Sequence, residues 1–218
     1  MRVGVIGSGM VGKAIADRLL ELGYEVRMGS RTSDGPAAQW AARAGEQARA
    51  GDFAQAASFG ELVVNATAGS RSLEALHLAG ERNLAGKVLL DVANPINVAG
   101  GPGPMTLTVA NTSSLAEQIQ HEFPEARVVK ALNTMSCKVM VNPKIIRGEH
   151  VVFISGDDPN AKQLVTRLLG SIGWPASQIV DLGDVATARG TEAFLLLWLP
   201  VWQALDRGEF NIAIRRAR

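Results

Sequence analysis

The sequence predicts an α/β fold of Rossmann type, a doubly wound and mainly parallel sheet with a small C-terminal extension. Three observations predict it. A glycine-rich turn, Gly7-Ser8-Gly9-Met10-Val11-Gly12, follows an apolar run of strand length and opens a segment of helical spacing. Further apolar runs are continuous rather than alternating, the pattern of parallel strands covered on both faces. Stretches with helical character separate these runs. One domain is expected over residues 1–218, with its core over about 1–155 and the extension over about 156–218.

Val3-Gly4-Val5-Ile6 makes the first strand. Val11, Ile15, Leu19 and Leu22 recur three and four residues apart, so they share one face of a helix that Gly23 ends. Glu25 to Met28 forms the second strand, and the alanine-rich stretch from Pro36 to about Ala50 favours a helix on propensity. Leu62–Ala66, Val88–Val92 and Val128–Leu132 are three more strands, with helices near Ser72–Ala79 and Ser114–Phe123. Val151–Ile154, a helix from about Ala161 to Ile172, Ile179–Leu182 and a tryptophan-bearing helix near Thr191–Leu205 continue the alternation. Gly100–Pro104 punctuates a connection of about 20 residues, a length usual for functional or disordered loops.

Lysine and arginine number 22 against 21 acids, a net charge of +1, which points away from nucleic acid and membrane surfaces as partners. The single cysteine, Cys137, cannot form an internal disulfide, and no leader-like segment opens the chain. A cytoplasmic protein is the expectation. The apolar run Phe194–Trp202 is too short to span a bilayer.

The glycine turn has separate reasons for each glycine. Gly7 permits the tight turn, Gly9 lets backbone approach a pyrophosphate, and Gly12 permits close helix–strand packing. At the end of the second strand, where an acid would bind both ribose hydroxyls, stand Gly29, Ser30 and Arg31. A guanidinium can hold a 2′-phosphate through two charge-assisted bonds and a hydroxyl can donate a third, so the site is expected to prefer NADP. Gly29 is read as leaving room for the phosphate, with Arg27 and Thr32 adding to the field. A solvated surface charge is the competing account of Arg31.

The stretches VIGSGMVGKA, GSR, VANP and VVKALNTM together resemble the F420-dependent NADP oxidoreductase family, to which the reductase domains of STEAP proteins are related. The resemblance runs over nearly the whole chain. It implies that Ser8 to Gly12 hold the pyrophosphate and that Ser30 and Arg31 hold the 2′-phosphate. Ala66 and Thr67 would line the cofactor; Ala93, Asn94 and Pro95 would face the nicotinamide. Ala131 to Thr134 would flank the reacting centre, with Asn133 on the cofactor. Independently, these segments follow strands at their carboxyl ends, where open α/β sheets bind ligands. Asn94 reads equally well as a turn former before Pro95.

Hydride transfer asks a protein mainly for positioning, because the cofactor carries the reactive bond. No catalytic triad, metal motif or paired histidine appears, so neither a catalytic side chain nor a metal is expected. Thr134, Met135 and Cys137 are expected in the substrate pocket. A carbonyl reductase would want a proton donor, for which Lys130 and Lys138 are the nearby candidates; Lys130 could equally be an ordinary sheet-face residue. The acceptor is therefore expected to be a planar redox ring, F420 first and a flavin next. A quinone or carbonyl/imine reductase and a non-catalytic NADP sensor remain as alternatives. Arg71, Lys138 and Lys144 are candidate partners for an acidic acceptor tail.

Trp198 and Trp202 lie four apart, suited to core packing, a subunit interface or a pocket wall. Asn211 to Ile214 alternates like an edge strand that could pair across a dimer, and a homodimer is expected. Arg215, Arg216 and Arg218 read as a solvated basic tip.

Overall fold

β1 (Arg2–Ile6) and β4 (Leu62–Asn65) lie side by side at the middle of an eight-stranded sheet of order β3-β2-β1-β4-β5-β6-β7-β8. The computed structural model describes residues 1–32, 34–97 and 105–217. Gly100–Pro104 and Arg218, singled out in the sequence, lie outside the described residues.

From β1 the chain enters α1 (Met10–Glu21), returns through β2 (Glu25–Ser30), and crosses through α2 (Pro36–Ala44) to β3 (Ala48–Asp52). The Pro36–Ala50 stretch is thus a nine-residue helix followed by a strand, not one helix. Gly45, at φ 96°, ends α2 in a conformation that glycine adopts without strain. The strand itself, Ala-Arg-Ala-Gly-Asp, has no branched residue to announce it; pairing with β2 in register, Met28 opposite Ala50, supplies what propensity does not.

α3 (Phe53–Phe59) then leads to β4, and α4 (Ser72–Ala79) with the short α5 (Glu81–Leu84) to β5 (Val88–Asp91). α6 (Leu115–Glu122) precedes β6 (Arg127–Ala131), and α7 (Cys137–Val141) precedes β7 (Val152–Ser155). α8 (Pro159–Ile172) leads to β8 (Ile179–Asp181), and α9 (Ala188–Ala193) and α10 (Leu195–Leu205) close the order. β1 to β6 pair in parallel; β7 runs antiparallel to β6, and β8 parallel to β7. Strand β8, from the expected extension, therefore continues the same sheet.

Strand alternation feeds two cores. Leu62, Val64, Val88, Leu90 and Val129 face one apolar layer with Ile15 and Leu19 of α1 and Val165 and Leu169 of α8. Val63, Leu89 and Val128 face the other, with Phe53, Leu76 and Ile119. Both faces being covered explains why these strands are unbroken apolar runs.

The expected helix over Thr191–Leu205 divides at Phe194 into α9 and α10, and α10 carries Pro200 inside it. Asn211–Ile214 is not a strand. Its links to the sheet end are the Val151 N–H to Ile212 carbonyl bond (2.9 Å) and the Asn211 amide, which meets His150 Nδ1 and the Val151 carbonyl at 2.8 Å. One backbone bond does not make a ladder.

Candidate active site

The order of strands reverses between β1 and β4, and a cleft opens over their carboxyl ends, the general ligand position of open α/β sheets. It has two chambers. One, of about 540 Å³, is bounded by Gly7, Ser8, Gly9, Ser30, Arg31 and Thr67. The other, of about 230 Å³, is bounded by Val11, Ala93, Asn94, Asn133 and Met135. Ala66, Thr67 and Ala68 line both, so the chambers share one wall.

The first chamber is built for an anion. The first backbone bond of α1 runs from Lys13 N–H to the Gly9 carbonyl, which leaves the N–H groups of the opening turn without helical partners and the positive dipole end exposed. A Cβ built on Gly9 would have no atom within 4 Å, so a ligand can close on the backbone there. A Cβ on Gly12 would stand 2.0 Å from the Gly7 carbonyl oxygen; Gly12 lies under the turn as a packing residue and lines neither chamber. Pyrophosphate and helix terminus are a matched pair.

Arg31 is exposed at the rim and forms no ion pair among the described residues. Its guanidinium is available for a phosphate. Ser30 is buried and lines the chamber, but its hydroxyl donates to the Thr32 carbonyl at 2.7 Å, so its proton shapes the turn instead of making the third bond expected to a phosphate. Two further expectations for this end need correction. Gly29 does not make room for a phosphate: an added Cβ would meet Ala56 Cβ and the Asp52 carbonyl oxygen at 2.9 Å, so glycine there admits α3. Arg27 points to that same face, its guanidinium 4.9 Å from the centre of the Phe59 ring, and is spent on a cation–π contact. Thr32 does line the chamber.

Phe53, Arg71, Ala75 and Leu78 complete this end, none of them assigned to it from sequence. The signal for Phe53 was present: Asp52 and Gln55 form a reciprocal capping box, the marker of a helix start directly after β3. Arg71 is paired with Glu74 (2.9 Å), which also lines the chamber.

In the second chamber Asn94 and Asn133 join the loops after β5 and β6. The Asn94 amide donates to the Asn133 carbonyl (2.7 Å), and the Asn133 amide donates to Asn94 Oδ1 (2.9 Å). Met140, Leu195 and Trp198 add an apolar side that sequence reasoning did not place. Trp198 stacks on Trp202 and on Phe210, with ring centres 6.2 and 5.3 Å apart. No Lys, His, Tyr, Asp or Glu stands among the described residues lining this chamber.

Five expected site residues line neither chamber. Met10 projects into solvent from the first turn of α1. Gly12 packs beneath the turn, and the Pro95 carbonyl accepts the Thr108 N–H (2.7 Å), pinning its loop. Thr134 is buried, and Cys137 packs on the core at the start of α7. The lysine candidates are also elsewhere. Lys138 is exposed on Glu209 (2.5 Å), while Lys130 is 1% exposed and enclosed by carboxylates. Neither can protonate a substrate in the chamber. Among the described residues no cluster of metal-ligating side chains occurs, and no helix is long and apolar enough to cross a membrane.

Comparison with known proteins shows the family. A family model described as NADP oxidoreductase, coenzyme F420-dependent, matches residues 2–95. A crystal structure of a candidate F420-dependent NADP-reductase from Arthrobacter sp. FB24 is 44% identical, covers 98% of this chain and 99% of its own, and superimposes with a TM-score of 0.92. Metalloreductase STEAP3 of Rattus norvegicus is 30% identical over 203 residues, 93% of this chain, and the chain spans 38% of that relative's length. The F420-dependent NADP reductase of Methanocaldococcus jannaschii is 26% identical over 113 residues, 52% of this chain and 49% of its own. On the near-complete match at 44% identity, the chain belongs to the family of F420-dependent NADP oxidoreductases.

Proposed function

We propose that the protein transfers hydride between NADP(H) and a planar redox ring, with coenzyme F420 as the first acceptor to test. One observation carries this: apart from the Thr67 hydroxyl, which donates to Asn65 Oδ1 (2.7 Å), the smaller chamber is lined by apolar and amide groups, with no titratable side chain among the described residues. Reduction of a carbonyl or imine benefits from a proton donor at the reacting atom, whereas a deazaflavin or flavin ring accepts hydride without one. NADPH, when bound, would supply the hydride from its nicotinamide ring, and NADP+ would take one up in the reverse direction. The chain's own part is to bind and orient: the α1 terminus for the pyrophosphate, Arg31 for the 2′-phosphate, and the Asn94–Asn133 pair and Trp198 as walls that keep water from the reacting faces.

The near-complete Arthrobacter match carries an F420-dependent description, which favours F420. A flavin acceptor is the second choice, because its ring is likewise planar and takes up hydride directly. Mixing NADPH with F420, FMN, FAD, and an imine or ketone, while following nicotinamide absorbance, tests the proposal. Turnover with F420 or a flavin alone is expected; turnover confined to the imine or ketone would overturn it.

A cytoplasmic homodimer goes with this reading. α10 leaves Leu197, Trp202 and Leu205 more than 40% exposed, an apolar surface suited to a second copy. Light scattering on the purified protein should give twice the chain mass; a monomer would remove the dimer from the account.

A further inference from the structure

Lys130 sits at the end of β6 with its ammonium fully enclosed. It donates to Asp91 Oδ2 at 2.8 Å and to the Ala93 carbonyl at 2.5 Å, and it contacts Glu192 Oε1 at 2.7 Å. Two hydrogen bonds and the Glu192 carboxylate enclose the ammonium, which is 1% exposed and does not reach a ligand. Each acceptor leads to a different wall of the smaller chamber. The Ala93 carbonyl belongs to the loop that carries Asn94. Asp91, through Oδ1, accepts from Asn65 Nδ2 (2.9 Å), and Asn65 Oδ1 accepts the Thr67 hydroxyl (2.7 Å) in the shared wall. Glu192 lies in α9, three residues before Leu195 and six before Trp198.

Physics explains why an ammonium serves here. β5 ends at Asp91, so the buried Ala93 carbonyl has left the sheet ladder and needs a donor from elsewhere. Two carboxyl groups face one ammonium here; burial, with Asp91 close by, pushes the Glu192 carboxyl above the usual carboxylate range, and the N-terminus of α6 holds it. Glu192 accepts the backbone N–H groups of Leu115 (2.7 Å) and Ala116 (3.1 Å). Burial works against the lysine charge, yet Asp91 and Glu192 hold its pKa above the ordinary value. Burying such a group is costly, and an apolar core of the same volume is often at least as stable. What an apolar core lacks is direction.

We propose that Lys130 is a positioning residue, whose ammonium joins the Ala93–Asn94 loop, the Asn65–Thr67 wall and α9 into one frame around the nicotinamide ring. This rests on the NADP reading above.

The test compares two ligands that share the adenosine half. NADPH enters both chambers, whereas 2′-phospho-ADP-ribose lacks the nicotinamide. In Lys130→Met the Kd for NADPH should rise by about tenfold, equal to ~1.4 kcal/mol, while that for 2′-phospho-ADP-ribose stays within about threefold. The blue shift of bound NADPH fluorescence should shrink with it. Because the single variant leaves two unpaired carboxylates, the triple variant Lys130→Met, Asp91→Asn, Glu192→Gln removes all three charges together and should show the same split. Equal changes for both ligands, no change for either, or loss of fold in both variants would overturn the assignment, since the network would then serve stability alone. Wild-type protein that binds 2′-phospho-ADP-ribose no better than ADP-ribose would instead overturn the NADP reading itself.

Discussion

Asn94 and Asn133 hold each other across the floor of the smaller chamber, each amide donating to an oxygen of the other residue, at 2.7 and 2.9 Å. The pair ties the loop after β5 to the loop after β6. Asn133→Ala leaves Asn94 Oδ1 without its donor and should cost about 1 kcal/mol of stability. Turnover should fall further than that loss accounts for, with the affinity for 2′-phospho-ADP-ribose unchanged. Calorimetry for the unfolding and steady-state kinetics with F420 or FMN check the two halves. An unaltered kcat would remove the pair from the reacting end.

Gly9 and Gly12 of the turn make opposite predictions. Gly12→Ala drives a Cβ to 2.0 Å from the Gly7 carbonyl oxygen, backbone that cannot give way, and should destabilise the fold by at least ~1–3 kcal/mol. Gly9→Ala meets nothing within 4 Å and should melt like the wild type while binding NADPH poorly, because the methyl occupies the space for the pyrophosphate. Thermal melts and NADPH titrations of both variants separate packing from binding.

Arg189 pairs with Glu117 Oε1 and Oε2, and Ser114 adds a further bond, so the Glu117 carboxyl is held below the usual carboxylate range. A carboxylate whose folded pKa lies below its unfolded value contributes stability above the unfolded value, near pH 4.3, and loses it as the pH falls through the folded value. Glu117→Gln should therefore lower the melting temperature slightly at neutral pH and flatten its decline below about pH 4.3. Parallel acid limbs for variant and wild type would show that the pair contributes nothing measurable.

Much of this architecture is legible in the sequence because burial on both faces writes itself as unbroken apolar runs, as in Leu62–Asn65, Val88–Asp91 and Arg127–Ala131. β3 escapes because Ala48–Asp52 is an edge strand of small and charged residues, and its alanines imitate the helix before it. The first chamber is equally readable, since anion binding by backbone demands glycines at fixed spacing. The second is readable in part. Ala93, Asn94, Asn133 and Met135 follow strand ends and are expected there, whereas Met140, Leu195 and Trp198 reach it only through the packing of α7 and α10. The buried lysine lies between these cases: parallel register sets Lys130 opposite Asp91, a pairing that two aligned strand ends suggest, but Glu192 reaches them only through the packing of α9.

In the function proposed above, Arg31 holds the 2′-phosphate of NADP in the larger chamber. Titration of wild-type and Arg31→Ala protein with NADPH and with NADH tests it most directly. The expected loss is ~1.5–3 kcal/mol of NADPH affinity with NADH almost unaffected, the usual range for hydrogen bonds to a charged group. Equal losses for both cofactors, or none for either, would contradict it.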